Sequence, residues 1–110
     1  MTATFIHQGD AIDHVPATDL DAGAVVVQDA IVGITTRSIP AGHLGALQLR
    51  GVFDLPRAAV GPLGVGVRVY WDQSTQQATT DDAAGANAYL GKTVRESGDT
   101  DPTVRIRLEQ

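Results

Sequence analysis

The stretch TVRIRLE, residues 103–109, is the part of the sequence that decides the fold. Its aliphatic side chains, Val104, Ile106 and Leu108, alternate with two arginines and a glutamate. Successive side chains of a β-strand point to opposite faces of the sheet. The alternation therefore predicts a strand with one buried face and one face in water.

Further strands are predicted between residues 24 and 80. Residues 24–27 and 30–35 are aliphatic runs joined by a turn at Gln28 and Asp29. Residues 45–55 predict one long strand, because one parity of its positions is apolar: Leu47, Leu49, Phe53 and Leu55. A hairpin is predicted further along the chain. Its first strand has apolar residues at alternate positions, Val65, Val67, Val69 and Trp71, and is followed by a polar turn at residues 72–75 and a short run at 78–80.

Breakers of regular structure separate these strands, at residues 40–42, 61–64 and 97–102. Only residues 57–59 and 82–87 have a composition that suits a helical turn, and residues 82–87 suit a loop equally well. The pattern predicts a mainly β protein, a small single-domain β-barrel or β-sandwich with short or no helices, over residues 1–110.

Glycines next to aliphatic residues recur along the chain. Gly23 is followed by an aliphatic-glycine step at Gly33, and Gly66 is followed by one at Gly91. Such glycines permit tight bends between short strands. The pairing predicts an internal repeat of two strand units.

Composition excludes several classes of function. The 110 residues include no cysteine, so disulfides and thiolate chemistry are absent. The formal net charge of -5 disfavours nucleic acid and anionic membranes as partners. No apolar run approaches the roughly 20 residues that a membrane-spanning helix needs.

A histidine and carboxylate cluster near the N-terminus has two interpretations. The cluster consists of His7, Asp10, Asp13 and His14, with His43 as the one further histidine of the chain. These residue types bind divalent metals. The favoured interpretation is a turn at Gly9 and Asp10, with solvated or backbone-capping acids. We therefore predict neither a metal nor a cofactor.

No nucleophile or phosphate-binding motif stands out. The glycine-rich residues 61–66 lack the lysine and hydroxyl residue that end a phosphate-binding loop. Ser38, Ser74 and Ser97 lie outside any nucleophile elbow. We predict no catalytic residues and no enzymatic activity; a deep pocket gathering His7, Asp10 and His14 would reverse that view.

The large side chains are candidates for either the core or an interface. Trp71 continues the apolar parity of its strand and is assigned to the core, whereas Phe53 stays open between core and interface. Tyr70 faces the opposite way and is the better candidate for a subunit or partner contact. Arg105 and Arg107 either form a solvated face or pair with acids of a neighbouring subunit.

Taken together, an ordered set of phrases resembles the DUF2190 family of phage and prophage proteins over nearly the full length. The phrases are FIHQGDAIDHVP (5–16), DAGAVV (21–26), IPAGHLGAL (39–47), GVFDLP (51–56), VYWD (69–72) and TVRIRL (103–108). Members of that family look like capsid decoration, or cement, proteins.

The resemblance implies a structural role on the outside of an assembled phage head, with the major capsid protein as partner. By analogy with other decoration proteins it implies a homotrimer whose N-terminal arm, residues 1–15, reaches the capsid. The protein would lie in the host cytoplasm before assembly and on the virion afterwards. The alternative is a small tail or fibre-base module that binds a carbohydrate or another virion protein.

Overall fold

The computed structural model describes residues 2–58 and 61–110, and almost all of its regular structure is β. A short 3-10 helix, Ala83–Gly85, lies between the seventh and eighth strands. The strands are β1 (Ala11–His14), β2 (Val25–Gln28), β3 (Ile31–Ile34), β4 (Gly45–Gln48), β5 (Arg50–Pro56), β6 (Arg68–Asp72), β7 (Gln77–Thr79), β8 (Ala88–Thr93) and β9 (Thr103–Glu109).

The strands form two antiparallel sheets, with orders β1-β4-β3-β2 and β5-β9-β8-β6-β7. One core cluster contains side chains of both sheets. The architecture is therefore a β-sandwich within one domain and not a closed barrel, which resolves the two alternatives left by the sequence. The most completely buried large apolar side chains are Val32, Ile34, Leu47, Val69, Leu90, Val104, Ile106 and Leu108.

The strand that decides the fold is confirmed over its full predicted length. β9 lies between β5 and β8, with Val104, Ile106 and Leu108 at most 1% exposed. Both predicted hairpins are confirmed as well. The first turns one residue later than predicted, at residues 29–30, and Asp29 adopts a left-handed φ of 56° there.

The prediction of one strand over residues 45–55 is wrong. The chain leaves the four-stranded sheet after β4 and enters the five-stranded sheet at β5, turning at Leu49. Gly51 follows with a φ of +133°, which side-chain-bearing residues rarely adopt. The predicted facing is nonetheless right, because Leu47, Leu49 and Leu55 are all buried. The apolar residues keep the same alternation through the turn at Leu49, so the sequence pattern gives no sign that one strand ends and another begins there.

Three further strands and one predicted helical turn differ from the sequence-based prediction. β6 begins only at Arg68, and Val65 is 64% exposed in the preceding turn. β1 and β8 were not predicted as strands. The helical turn at 82–87 exists, but Arg57 forms an isolated bridge with Ala78 and no helical turn. Residue 59 of the helical turn predicted at 57–59 lies outside the described residues.

The internal repeat is confirmed, and it extends to the whole sandwich. Unit 1 (β1–β4) has the order β1-β4-β3-β2, and unit 2 (β5–β9) has the same order with β7 added at its edge. Gly23 and Gly66 have φ of 83° and 85°. Leu20 bridges Ile39 in unit 1 as Leu63 bridges Ser97 in unit 2. The protein thus consists of two copies of one four-stranded motif.

One buried threonine in each unit makes the same hydrogen bonds. The Thr35 hydroxyl donates to the Asp21 carbonyl at 2.7 Å and accepts from the Ala24 amide at 2.9 Å. The Thr93 hydroxyl repeats both bonds, with the Gly64 carbonyl at 2.7 Å and the Val67 amide at 2.9 Å. These threonines belong to a repeated sequence, Gly-x-Thr-x-Arg, at residues 33–37 and 91–95.

A register shift in β8 brings a glycine against β9. Val69 faces Gly91 and the next residue of β6, Tyr70, faces Tyr89, so Leu90 is an extra residue that points into the core. A Cβ on Gly91 would lie 1.9 Å from the Arg107 carbonyl oxygen. Glycine is required here because the backbone of β9 occupies the space of a side chain.

Candidate binding surfaces

The N-terminal segment, residues 2–10, lies outside the sandwich and all of its residues are exposed. It contains no strand and ends in the predicted turn at Gly9 and Asp10. Phe5 and Ile6 are 79% and 78% exposed. The predicted arm therefore divides into this segment and β1, which pairs with β4.

The histidines and acids of the N-terminal cluster do not converge. Asp10 forms an exposed ion pair with Arg50 at 3.8 Å, and His14 Nδ1 accepts from Gln28 Nε2 at 2.9 Å. His7 Nδ1 contacts the carbonyl of Gln8. Among residues 2–58 and 61–110 no three histidines or acids stand close enough to hold a metal ion.

The glycine-rich residues 61–66 are built into the fold. Leu63 pairs with Ser97, and the guanidinium of the buried Arg57 binds the Gly61 carbonyl. The same guanidinium donates to Ser97 Oγ and to the Gly98 carbonyl, both at 3.0 Å. Ser97 therefore orients a structural arginine.

An open cleft of about 650 Å³ lies beside β4. Its lining mixes polar and apolar side chains, including Asp13, Arg37, Gln48 and the 69% exposed Leu44. Its lining residues include no aromatic side chain against which a sugar ring would stack. His7, Asp10 and His14 are not among the residues that line this cleft.

The outer face of the five-stranded sheet carries a line of positive charge. Arg68 on β6 lies opposite Lys92 on β8, and Lys92 lies opposite Arg107 on β9. All three side chains are exposed, and none of them forms an ion pair within the described part of the chain. We call these three residues the cationic row.

Aromatic side chains lie beside the cationic row. Tyr70 and Tyr89 meet edge to face, with ring centroids 5.7 Å apart, so the predicted contact residue Tyr70 is half-buried within the chain. The Tyr89 hydroxyl donates to Glu109 Oε2 at 3.2 Å. Burial, together with the Glu109 carboxylate, raises the pKa of Tyr89. Trp71 is in the core as predicted, and Phe53 is half-buried against it.

Arg105 pairs within its own chain, which differs from both predictions made for it. Its Nε and Nη2 bind the two Asp54 carboxylate oxygens at 2.9 and 3.0 Å. This hydrogen-bonded pair lowers the pKa of Asp54 below its ordinary value of 3.8. Arg107, two residues further along β9, remains exposed in the cationic row.

The cationic row could not be recognised in the sequence by a local pattern. Its members belong to three strands that are far apart in the chain, and only the register brings them into line. Residues 50–110 contain seven of the eight lysines and arginines but also eight of the thirteen acids, so composition gives no signal of a cationic surface.

Comparison with known proteins identifies the class of molecule to which this two-sheet domain belongs. A family model described as phage cement protein matches residues 6–108. The chain therefore belongs to the phage cement protein family, a structural family of the phage capsid. No curated protein and no solved structure matches the chain. No helix of the described residues is long and apolar enough to cross a membrane.

Proposed function

We propose that this protein binds the outer surface of the assembled phage head, through the major capsid protein, and stabilises the head as a homotrimer. The family match over residues 6–108 is the observation that carries this proposal. Before assembly the protein is in the host cytoplasm. Several weak contacts to a repeating surface give strong attachment without a deep site.

The N-terminal segment is the proposed capsid anchor. Phe5 and Ile6 are adjacent, more than three-quarters exposed, and not packed against the sandwich. Large apolar side chains exposed together commonly mark a contact surface. Burying both against the capsid would contribute about 1.5–3 kcal/mol for each side chain.

Co-sedimentation with capsids tests the proposal. Purified protein is incubated with expanded empty heads that lack it, and bound protein is measured after centrifugation. We expect saturable binding and heads that resist heat better than uncoated ones. Absence of binding to its own heads overturns the proposal, and binding to isolated tails instead would favour the tail-component alternative.

A double substitution tests the anchor. Phe5→Ser with Ile6→Ser should weaken head binding at least about tenfold because two apolar contacts are lost. Its unfolding should be unchanged, since neither residue joins the core. Val65→Ser is the matched control, because Val65 is 64% exposed in a turn of unit 2. Equal head binding by the double variant and the control would contradict the role of the anchor.

A further inference from the structure

The cationic row disfavours the folded state. Like charges directly opposite one another on neighbouring strands repel, and Lys92 has such a neighbour on each side. Glu109, two residues after Arg107 on the same face of β9, accepts a hydrogen bond from Tyr89 and forms no ion pair within the described residues. The row therefore needs a reason outside the stability of the single chain.

The repeat supplies an internal comparison for the row. Val25 faces Ile34 in unit 1 in the same register in which Arg68 faces Lys92 in unit 2. The shared strand framework thus accepts an aliphatic pair at these positions. Positive charge in unit 2 is not dictated by the way the motif folds.

The N-terminal segment joins the sandwich at the edge of the sheet that carries the row. Asp10 ends this segment; its carboxylate forms the ion pair with Arg50 at 3.8 Å, and its carbonyl accepts from the Leu49 amide at 2.8 Å. Arg50 begins β5, on which the exposed Val52 lies opposite Arg107. Alternate residues of a strand share a face, so Arg50 and Val52 continue the face of the row. The proposed capsid anchor and the cationic row are therefore neighbouring parts of one surface.

The charge of the row indicates the chemistry of its partner. The chain has a formal net charge of -5, so three cations that are unpaired within residues 2–58 and 61–110 are an exception on an acidic protein. Neighbouring strands lie about 4.8 Å apart, so the three positions span about 10 Å. Carboxylates on another protein complement such a row, and the negative charge elsewhere on the chain turns the row towards them. Nucleic acid fits less well, because its dense phosphate charge would repel the rest of the chain.

We propose that the cationic row binds a carboxylate-rich patch of the major capsid protein, so that the outer face of the five-stranded sheet lies against the head. The inference rests on the proposed function, because it names a second contact of that same attachment. The N-terminal segment contributes apolar area, and the row contributes opposite charges that orient the protein. Exposed ion pairs are individually weak, so the contact depends on several pairs in each row and on several copies bound together.

The salt dependence of head binding tests the charge of this contact. Affinity of the wild type for empty heads should fall on the order of tenfold between about 50 and about 500 mM NaCl, because salt screens exposed charges. Lys92→Glu should bind at least about tenfold more weakly at low salt, because it places like charges across the contact. Arg37→Glu is the matched control, since it makes the same change of charge at an exposed position of unit 1; it should change binding less than about twofold.

The same variant has an independent signature in its thermal stability. Lys92→Glu replaces two repulsive cross-strand pairs with attractive ones, so the free protein should melt about 2–6 °C higher than the wild type. A variant that binds heads less because it is misfolded would melt lower. Higher melting with weaker head binding therefore separates the contact from the fold.

Lys92 is the one lysine of the sequence, which permits a chemical test of the contact. A water-soluble carbodiimide joins an amine to a carboxylate that touches it, and takes up the water that is lost as a urea. Coated heads treated with it should yield Lys92 bonded to an aspartate or glutamate of the major capsid protein, identified by mass spectrometry after digestion. Lys92→Arg is the control, because it keeps the positive charge and head binding within about threefold of the wild type and should lose this cross-link.

The outcomes keep the two proposals apart. Wild type that does not bind heads overturns the proposed function and this inference together. Wild type that binds heads no better than Lys92→Glu overturns the inference alone. Lys92 bonded to an acid of a second copy, or left open to acetylation on fully coated heads, also overturns the inference alone, because the row would then not lie against the capsid protein.

Discussion

Each repeat unit depends on one buried threonine hydroxyl that joins two backbone segments. Thr35 and Thr93 are both 1% exposed, and each satisfies one amide and one carbonyl of the turn that precedes the second strand of its unit. A buried polar group that loses its partner costs more than an average hydrogen bond contributes.

Replacing either hydroxyl by a methyl group should destabilise the fold. We expect Thr93→Val to lower the free energy of unfolding by about 1–3 kcal/mol, because it removes the partner of the Val67 amide and of the Gly64 carbonyl. Thr35→Val should lower it by less, because the Ala24 amide also donates to the Asp21 carbonyl, at 3.3 Å. Urea unfolding measures both. Thr93→Ser keeps the hydroxyl and should lose only about 0.8 kcal/mol for the methyl group. A Thr93→Val variant as stable as Thr93→Ser would contradict the role of the hydrogen bonds.

The pair of Asp54 and Arg105 predicts a pH dependence of stability. The pKa of Asp54 is lowered in the folded state, chiefly by the Arg105 hydrogen bonds, so its ionised form favours folding. That contribution is fully present above the ordinary pKa of 3.8, which the unfolded chain has, and disappears as pH falls through the lower folded pKa.

Melting curves of wild type and Asp54→Asn check this dependence. The wild type should melt higher at pH 6, by a small margin because the pair is exposed. The difference should shrink as pH falls below about 4. A difference that persists unchanged to pH 2 would show that the charge of Asp54 is not its cause.

Among the secondary-structure elements, the strands that could be predicted are those in which apolar and polar residues alternate regularly and which stay within one sheet. β9 has a perfect alternation and was located to the residue. β8 could not be predicted, because its extra residue places Leu90 and Gly91 on the same side of the strand and breaks the alternation of apolar and polar residues. β1 could not be predicted either, because none of its four residues is fully buried and they include charged types.

Surfaces were less predictable than strands. The N-terminal segment was proposed as an arm because of the family resemblance, whereas the cationic row requires knowledge of strand register. Register depends on which strands become neighbours, and that is a property of the assembled sheets. The composition of each strand by itself gives no sign that Arg68, Lys92 and Arg107 line up.

On the scale of the whole molecule, one side chain near the C-terminus links the two sheets. Gln110 Oε1 accepts from the Val32 amide in unit 1 at 2.8 Å. Its Nε2 donates to the carbonyls of Tyr89 and Leu90 in unit 2, at 2.8 and 3.0 Å. The residue therefore satisfies the backbone on both sides of the sandwich.

Removing this link should weaken the whole domain. We expect Gln110→Ala to lower the free energy of unfolding by about 1–3 kcal/mol, because the Val32 amide loses its partner in a buried position. Gln73→Ala, a substitution of an exposed glutamine in the β6–β7 turn, should change it by less than about 0.5 kcal/mol. Equal unfolding midpoints in urea for the two variants would show that Gln110 does not join the sheets.

The internal repeat indicates where a foreign peptide can be inserted into this protein. Where unit 1 connects β2 to β3 by the tight turn at residues 29–30, unit 2 holds β7 and a 3-10 helix between β6 and β8, at residues 73–87. The same motif thus folds with either a minimal or a long connection at this point. The turn at Asp29 and Ala30 is accordingly the site at which an inserted epitope would be displayed with the least disturbance to the sandwich.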